Sequence, residues 1–279
     1  MPGGATFRKA RAGAPAGFFR CEEAGLRWLG EAHGPGVPAR PTGPRVVRVR
    51  AVGDDRLDLE RIAPVPPTPA AAARFGRDLA ALHDAGAPAW GSPPPGWSGD
   101  AFFGPLDDPL PLPTGSWGSW AGFWGEARLR PVAAQGLERR ALARADADDL
   151  ARLADRAPRW DTGEAPARVH GDLWSGNVLW AHGEAESVAG ASGPDEVEAV
   201  LIDPAAHGGH READLAMLAL FGAPHLDAVL AAYHAEHALA RGWRHRVVVH
   251  QLYPVAVHAV LFGGGYRTQL RRMLDTLLA

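Results

Sequence analysis

The chain has 279 residues, 46% of them hydrophobic, enough for one large domain or two smaller ones with a substantial core. Its formal charge of −3 offers no global field for nucleic acid or an acidic membrane. Its single cysteine, Cys21, excludes an internal disulfide and a cysteine-based zinc cluster. No run of about 18 apolar residues marks a membrane span, and the N-terminal stretch has no signal-peptide pattern, so a cytoplasmic protein is expected.

Thr6 to Ala10 reads as the end of a strand. After a turn at Gly13–Gly17, residues 18–31 read as a helix with Phe18, Cys21, Gly25 and Leu29 near one face. Residues 46–52 (VVRVRAV) alternate apolar and basic, the period of a half-buried strand, and Leu57, Leu59 and Ile62 alternate through a further one. Together these predict a β-helix-β-β unit. The proline-rich segment 63–69 closes it, dividing the chain into a small lobe (1–63) and a large lobe (64–279). Residues 70–84 predict an amphipathic helix facing inward through Phe75, Leu79 and Leu82. Residues 88–118 are rich in Pro, Gly and Trp without periodicity and read as a long ordered loop. Its Trp90, Trp97, Phe102 and Phe103 either shape a cleft or pack down the connection. Helical patterns return at 119–134 and 137–156. The segment ARVHGDLWSGNVLW (167–180) is separated from the strand-like VEAVLID (197–203) by a polar stretch, which predicts a hairpin carrying an insertion over 181–196. Helices follow at about 212–222, 225–238, 242–262 and 265–278. The fold class is therefore α+β, a small mixed lobe followed by a mostly helical one.

The densest chemical signal is His170-Gly171-Asp172, with Asn177 five residues after the aspartate and Asp203 at the end of the next strand. Phosphoryl transfer from ATP needs a carboxylate to orient the acceptor, ligands for magnesium and a cation on the phosphates. The five-residue spacing lets Asp172 face an acceptor hydroxyl while the Asn177 amide turns toward a metal. Asp203 can then bridge Mg²⁺ to the phosphates, and one Asn with one Asp suits an ion that keeps phosphate and water oxygens. Either aspartate alone could equally be a helix cap or a turn residue; the combination on a loop-strand-strand arrangement favours a kinase.

The blocks HGDLWSGN, IDPAAHGGHREADLAML, LFG, and GW with QLYPVAVHAVLFGGGY resemble the fructosamine kinase (ketosamine kinase) family, over about residues 7–278 and most densely over 169–266. Related aminoglycoside and choline kinases share the HGD, Asn and ID elements but generally lack the Trp of DLWSGN and the GHREADLAM run. The resemblance implies a protein-kinase-like two-lobed fold and use of ATP with Mg²⁺. It also implies phosphorylation of the 3-hydroxyl of a ribulosamine or fructosamine, small or protein-bound, which makes the adduct unstable and repairs glycated amines. It assigns Asp172 as the catalytic carboxylate and Asn177 and Asp203 as magnesium ligands. It matches Lys9 to the lysine on the α- and β-phosphates and Glu22, rather than its neighbour Glu23, to that lysine's ion-pair partner. Glu60, Arg61 and Ile62 match the hinge whose backbone bonds adenine. Trp174, Arg211 and Glu212 fall in family-specific blocks and are expected near the sugar.

Plainer readings stand beside these. Trp174 can simply pack in the core. Arg211 and Asp214 can form a buried ion pair that supports the catalytic loop. His207 and His210 have metal-like spacing but no third ligand in view, which favours packing. The chain also departs from the family pattern: only eight residues precede Lys9, and Gly3-Gly4 cannot form the Gly-containing hairpin that normally covers the phosphates. About two strands are expected to be missing, through either a downstream start or a lost lid. The alternatives to a ketoamine kinase are therefore a kinase for another small hydroxyl compound, aminoglycoside- or choline-like, and a non-catalytic nucleotide- or ligand-binding member.

Overall fold

The computed structural model describes residues 5–31, 43–183 and 196–279. The Gly3-Gly4 pair and most of the polar insertion, 184–195, lie outside the described residues.

The small lobe is built on a sheet of order β1-β4-β3, in which β1 (Thr6–Ala10) and β3 (Val49–Val52) each pair antiparallel with β4 (Arg56–Glu60). The alternation read from the sequence buries Leu57 and Leu59, and α1 (Phe18–Gly30) packs Phe18, Phe19 and Leu26 onto them. The single strand expected over 46–52 is instead two. β2 (Arg45–Val46) runs parallel to β9 (Val197–Leu201), Val47 donates its backbone N–H to Leu201, and the chain then crosses into β3. One alternating segment thus serves two sheets and ties the small lobe to the strand that leads to Asp203.

Thr68 caps α2 (Pro69–Asp84) through the Ala71 N–H, with Pro69 preset for the first turn. Its buried face, including Phe75, Leu79 and Leu82, packs on α7 (Leu226–Glu236). At Gly76 the two helices touch backbone to backbone, and any Cβ there would overlap the Val229 carbonyl. Within 88–118 the structure has a short antiparallel pair, β5 (Ala101–Phe103) and β6 (Leu110–Leu112), where the sequence suggested only loop. Three-residue strands containing Pro111 carry too little alternation to read.

The helix expected over 119–134 is interrupted. α3 (Trp120–Trp124), capped by Ser119, runs into a π-helical turn, Gly125–Leu129, before α4 (Arg130–Glu138). Pro131 is the reason: it has no N–H for the Ala127 carbonyl four residues earlier, and the Arg130 N–H reaches back to Gly125 instead. Next come α5 (Arg144–Arg156), β7 (Ala167–Val169), β8 (Val178–His182, antiparallel to β9) and β10 (His207–Gly209, antiparallel to β7). The chain ends with α6 (Arg211–Leu220), α7, α8 (Trp243–Phe262) and α9 (Gly265–Leu278). The main core lies among α3, α4, α5, α8 and α9.

Candidate active site

The loop from β7 to β8 carries His170, Gly171 and Asp172, and its backbone is held from below by α6. Asp214, buried in the first turn of that helix, accepts the His170 N–H at 2.7 Å on one oxygen and the Gly171 N–H at 3.0 Å on the other. His83 of α2 bonds Asp214 at 3.2 Å and the Tyr233 hydroxyl at 2.8 Å. Burial works against the Asp214 charge, but His83, His170 and these N–H groups outweigh it and hold its pKa below the usual carboxylate value. Gly171 has φ 81°, and a Cβ there would overlap the Ala205 carbonyl, so only glycine fits the bend. His170 is buried; Nε2 bonds the Ile202 carbonyl at 2.9 Å and Nδ1 takes the Asp172 N–H at 3.3 Å. Burial lowers its pKa, so it is a neutral strut between the two loops.

These contacts bring Asp172, Asn177 and Asp203 together. Asn177 ends a 3₁₀ turn, Ser175–Asn177, and its Nδ2 donates to the Asp172 carbonyl at 2.8 Å and to Asp172 Oδ2 at 3.2 Å. With Nδ2 committed, Oδ1 is the amide atom available to a cation. Asp203 follows β9 in the left-handed region, φ 52°, a conformation a non-glycine residue holds only when its surroundings impose it. Lys9 Nζ reaches Glu22 Oε2 at 2.8 Å and Asp203 Oδ1 at 3.3 Å. Burial opposes the Lys9 charge, but Glu22 and Asp203 overcome it and raise its pKa. Burial drives Glu22 the other way, up from its ordinary value, with Lys9 opposing. Burial also raises Asp172, to about 7; the Asn177 amide resists this, and Asp203 and Asp214 add to it.

All five side chains line one cleft of about 350 Å³. Its other wall is largely apolar: Phe103, Leu106, Trp174, His258, Leu261 and Phe262. Trp174 is 39% exposed, not packed in the core, and its indole lies across Gly176, where a Cβ would meet the ring. Phe102 also lines the cleft and rests on Phe18 with ring centroids 5.2 Å apart. Of the four aromatics with two readings, Phe102 and Phe103 shape the cleft, Trp97 leans on Phe102, and Trp90 is buried against Phe123 and His210.

Other expected residues sit elsewhere. Glu60 is buried, its carboxylate taken by Arg45 at 3.0 Å and the Arg48 N–H at 3.2 Å, and the Arg61 N–H donates to the Ala5 carbonyl. Ile62 packs, partly buried, against the small-lobe core. None of the three lines the cleft that holds Lys9 and Asp172. Arg211 and Glu212 were expected near the sugar but do not line that cleft. Arg211 forms a fork with Glu164, at 2.7 and 2.8 Å, and not with Asp214. Glu212 is gripped by Arg246 at 2.5 and 2.8 Å and lies 3.4 Å from His250. Buried, doubly bonded charges at the start of α6 have their donors and acceptors used up and serve to fix the helix that carries Asp214. His210 gathers with Glu212 and His250, but Arg246 already occupies that carboxylate, and His207 bonds the Ala205 carbonyl. The residues that sequence reasoning missed are His258, Leu261 and Phe262, on the last turns of α8; only the geometry of that helix aims them at the cleft.

A family model described as fructosamine kinase matches residues 3–279. The chain belongs to the fructosamine kinase family. Among its relatives, the probable ketoamine kinase slr1563 of Synechocystis sp. is 37% identical over 211 residues, covering 74% of this chain and 61% of that protein. The aligned segment thus spans less than two thirds of that relative's length. A crystal structure from Thermobifida fusca, assigned as a fructosamine-3-kinase, superposes with a TM-score of 0.79 at 42% identity, covering 98% of this chain and 85% of the other. The gentamicin complex of APH(2")-IIa matches with a TM-score of 0.52 at 12% identity, covering 98% of this chain and 83% of that one, a likeness of fold alone. The fold is the kinase-like one, with a small N-lobe and a helical C-lobe. Among the described residues, no helix is long and apolar enough to cross a membrane.

Proposed function

We propose that this fructosamine kinase family member transfers the γ-phosphoryl group of ATP to a sugar hydroxyl of a ketoamine, a ribulosamine or fructosamine, and so takes part in removing glycation. The observation that carries the reading is the convergence of Lys9, Glu22, Asp172, Asn177 and Asp203 on one cleft whose remaining wall is largely apolar and includes Phe103, Trp174 and Phe262. Asp172 orients the acceptor hydroxyl and accepts its proton as the new oxygen–phosphorus bond forms and the bond to the β-phosphate oxygen breaks. Lys9, held forward by Glu22, meets the phosphate oxygens. Asn177 Oδ1 and the Asp203 carboxylate are hard oxygen donors with room for phosphate and water ligands, a set that fits Mg²⁺. Bound there, the cation would neutralise charge on the β- and γ-phosphates.

The acceptor side favours a ketoamine over a polycationic aminoglycoside. Trp174, Phe103 and Phe262 line the cleft with aromatic surface that suits the apolar side of a sugar, whereas a polyamine calls for a wall of carboxylates. An acceptor panel tests the choice: ADP release with ribuloselysine, fructoselysine, an aminoglycoside and choline, each with Mg-ATP. Turnover confined to the ketoamines supports the reading. Turnover confined to an aminoglycoside or choline overturns the acceptor, and nucleotide binding with no turnover on any acceptor favours a non-catalytic role.

A further inference from the structure

Behind the catalytic loop lies a second cavity of about 50 Å³. Phe103 lines both it and the main cleft, and Gly171, next to Asp172, forms part of its wall. Arg128 is also in that wall and is only 3% exposed. Nη1 donates to the carbonyls of Pro113 and Ala127, both at 2.9 Å, the second being the carbonyl that Pro131 leaves without a helical partner. Nη2 is buried with no hydrogen-bond acceptor. The guanidinium lies 4.4 Å from the centre of the Phe123 ring and 5.6 Å from that of Tyr253. Ring faces ease a buried cation but do not satisfy an N–H.

No carboxylate among the described residues neutralises this charge. Asp100, whose field reaches it, is exposed at the surface. Asp214 stands in the cavity wall, but its oxygens are taken by His83 and the N–H groups of His170 and Gly171. A buried guanidinium with neither counter-ion nor full hydrogen bonding is costly, and such groups are normally paired. The π-helical turn that carries Arg128 is a rare conformation concentrated at functional sites.

We propose that this cavity is a resident-anion site, in which a small monoanion of chloride or formate size lies against Nη2 of Arg128. Apart from the Asp214 carboxylate, whose charge is spent on His83 and the His170 and Gly171 N–H groups, the titratable wall residues bring no negative charge. His207 is pushed down to about 3 by burial and by the Arg128 charge, so it is neutral. Tyr253 is pushed up to about 12 by burial, so its hydroxyl keeps its proton and can serve as a second donor. A single water needs about 10–15 Å³ of such space, so the cavity takes a small ion but neither a sugar nor a nucleotide. The anion would stabilise the wall that supports Gly171 and Phe103, and through them the floor of the acceptor cleft.

The test is thermal unfolding of the whole chain at fixed ionic strength, with sodium chloride, bromide or formate replacing sodium gluconate, whose anion is too large for the cavity. The parent should show a saturating rise in Tm of roughly 3–6 °C, and Arg128→Met, apolar and of similar length, should lose it. A parent Tm that does not distinguish chloride from gluconate overturns the proposal, as does an equal response in Arg128→Met. Should that variant not fold, crystals of the parent grown in bromide decide. An anomalous peak beside Nη2 supports the site, and water alone in the cavity overturns it.

Discussion

In the proposed role Asp172 must be ionised in a cleft that withholds water from it, and that tension has consequences that can be measured. Its pKa rises from 3.8 to about 7 because the cleft removes water from the carboxylate. In its proposed role as acceptor of the hydroxyl proton, it works only when deprotonated. The kcat/KM for the acceptor should therefore climb about tenfold per unit of pH below 7 and level off above, and a profile flat from pH 5 upward would contradict the assignment. Stability runs the opposite way. The folded state binds the Asp172 proton more tightly than the unfolded chain does. The penalty for ionisation is thus absent below the ordinary value of 3.8 and grows as pH rises to about 7. Asp172→Asn should consequently be more stable than the parent at pH 8, by on the order of 1–2 kcal/mol, with the gain shrinking toward pH 4 in denaturant melts. Among the residues that meet in the cleft, Asp172, Asn177 and Asp203 were legible because they sit in short motifs with fixed spacing, whereas Lys9 and Glu22 were reached only through the resemblance to the family. That Arg211 and Glu212 do not line the cleft could not be read, for the converse reason. Their partners, Glu164 and Arg246, lie 47 and 34 residues away, and no local pattern links a charge to a counter-charge at that distance.

At the scale of elements, α6 is the part that aims the catalytic loop. Asp214→Asn would turn an amide N–H₂ toward backbone N–H donors or toward His83. It should cost about 2–4 kcal/mol in chemical unfolding and lower kcat as the loop loses its anchor. The β5–β6 hairpin has a related task, since it reaches from the large lobe to α1. Phe102 rests on Phe18, and Arg11 pairs with Asp107. Because α1 carries Glu22, Phe102→Ala should loosen the Glu22–Lys9 pair and raise the KM for ATP roughly tenfold, as a small misplacement of a phosphate-binding cation would. An unchanged KM for ATP would show that the hairpin does not position α1. None of this hairpin could be read in the sequence, because strands of three residues broken by Pro111 have no usable period. The π-helical turn at Gly125–Leu129 was likewise hidden, although Pro131 within a helical pattern was the signal for it.

Across the whole molecule, the order of a small mixed lobe followed by a helical one was visible in the sequence, since long helices announce themselves by periodicity. What the sequence could not convey is how the lobes are joined. Residues 45–52 pair first with β9 of the catalytic hairpin and then with the small sheet. Burial of Trp28 and Leu29 alongside residues of α2 and α6 continues that connection through α1. The two halves of the site are therefore fixed to each other by β-sheet and core packing, with Lys9 on one side and Asp172 on the other. The decisive measurement is ADP release with Mg-ATP and ribuloselysine for the parent and its Asp172→Ala variant. Turnover in the parent that falls at least about a thousandfold in the variant, with nucleotide affinity kept, is the predicted result. Turnover that survives the substitution would show that Asp172 is not the group on which transfer depends.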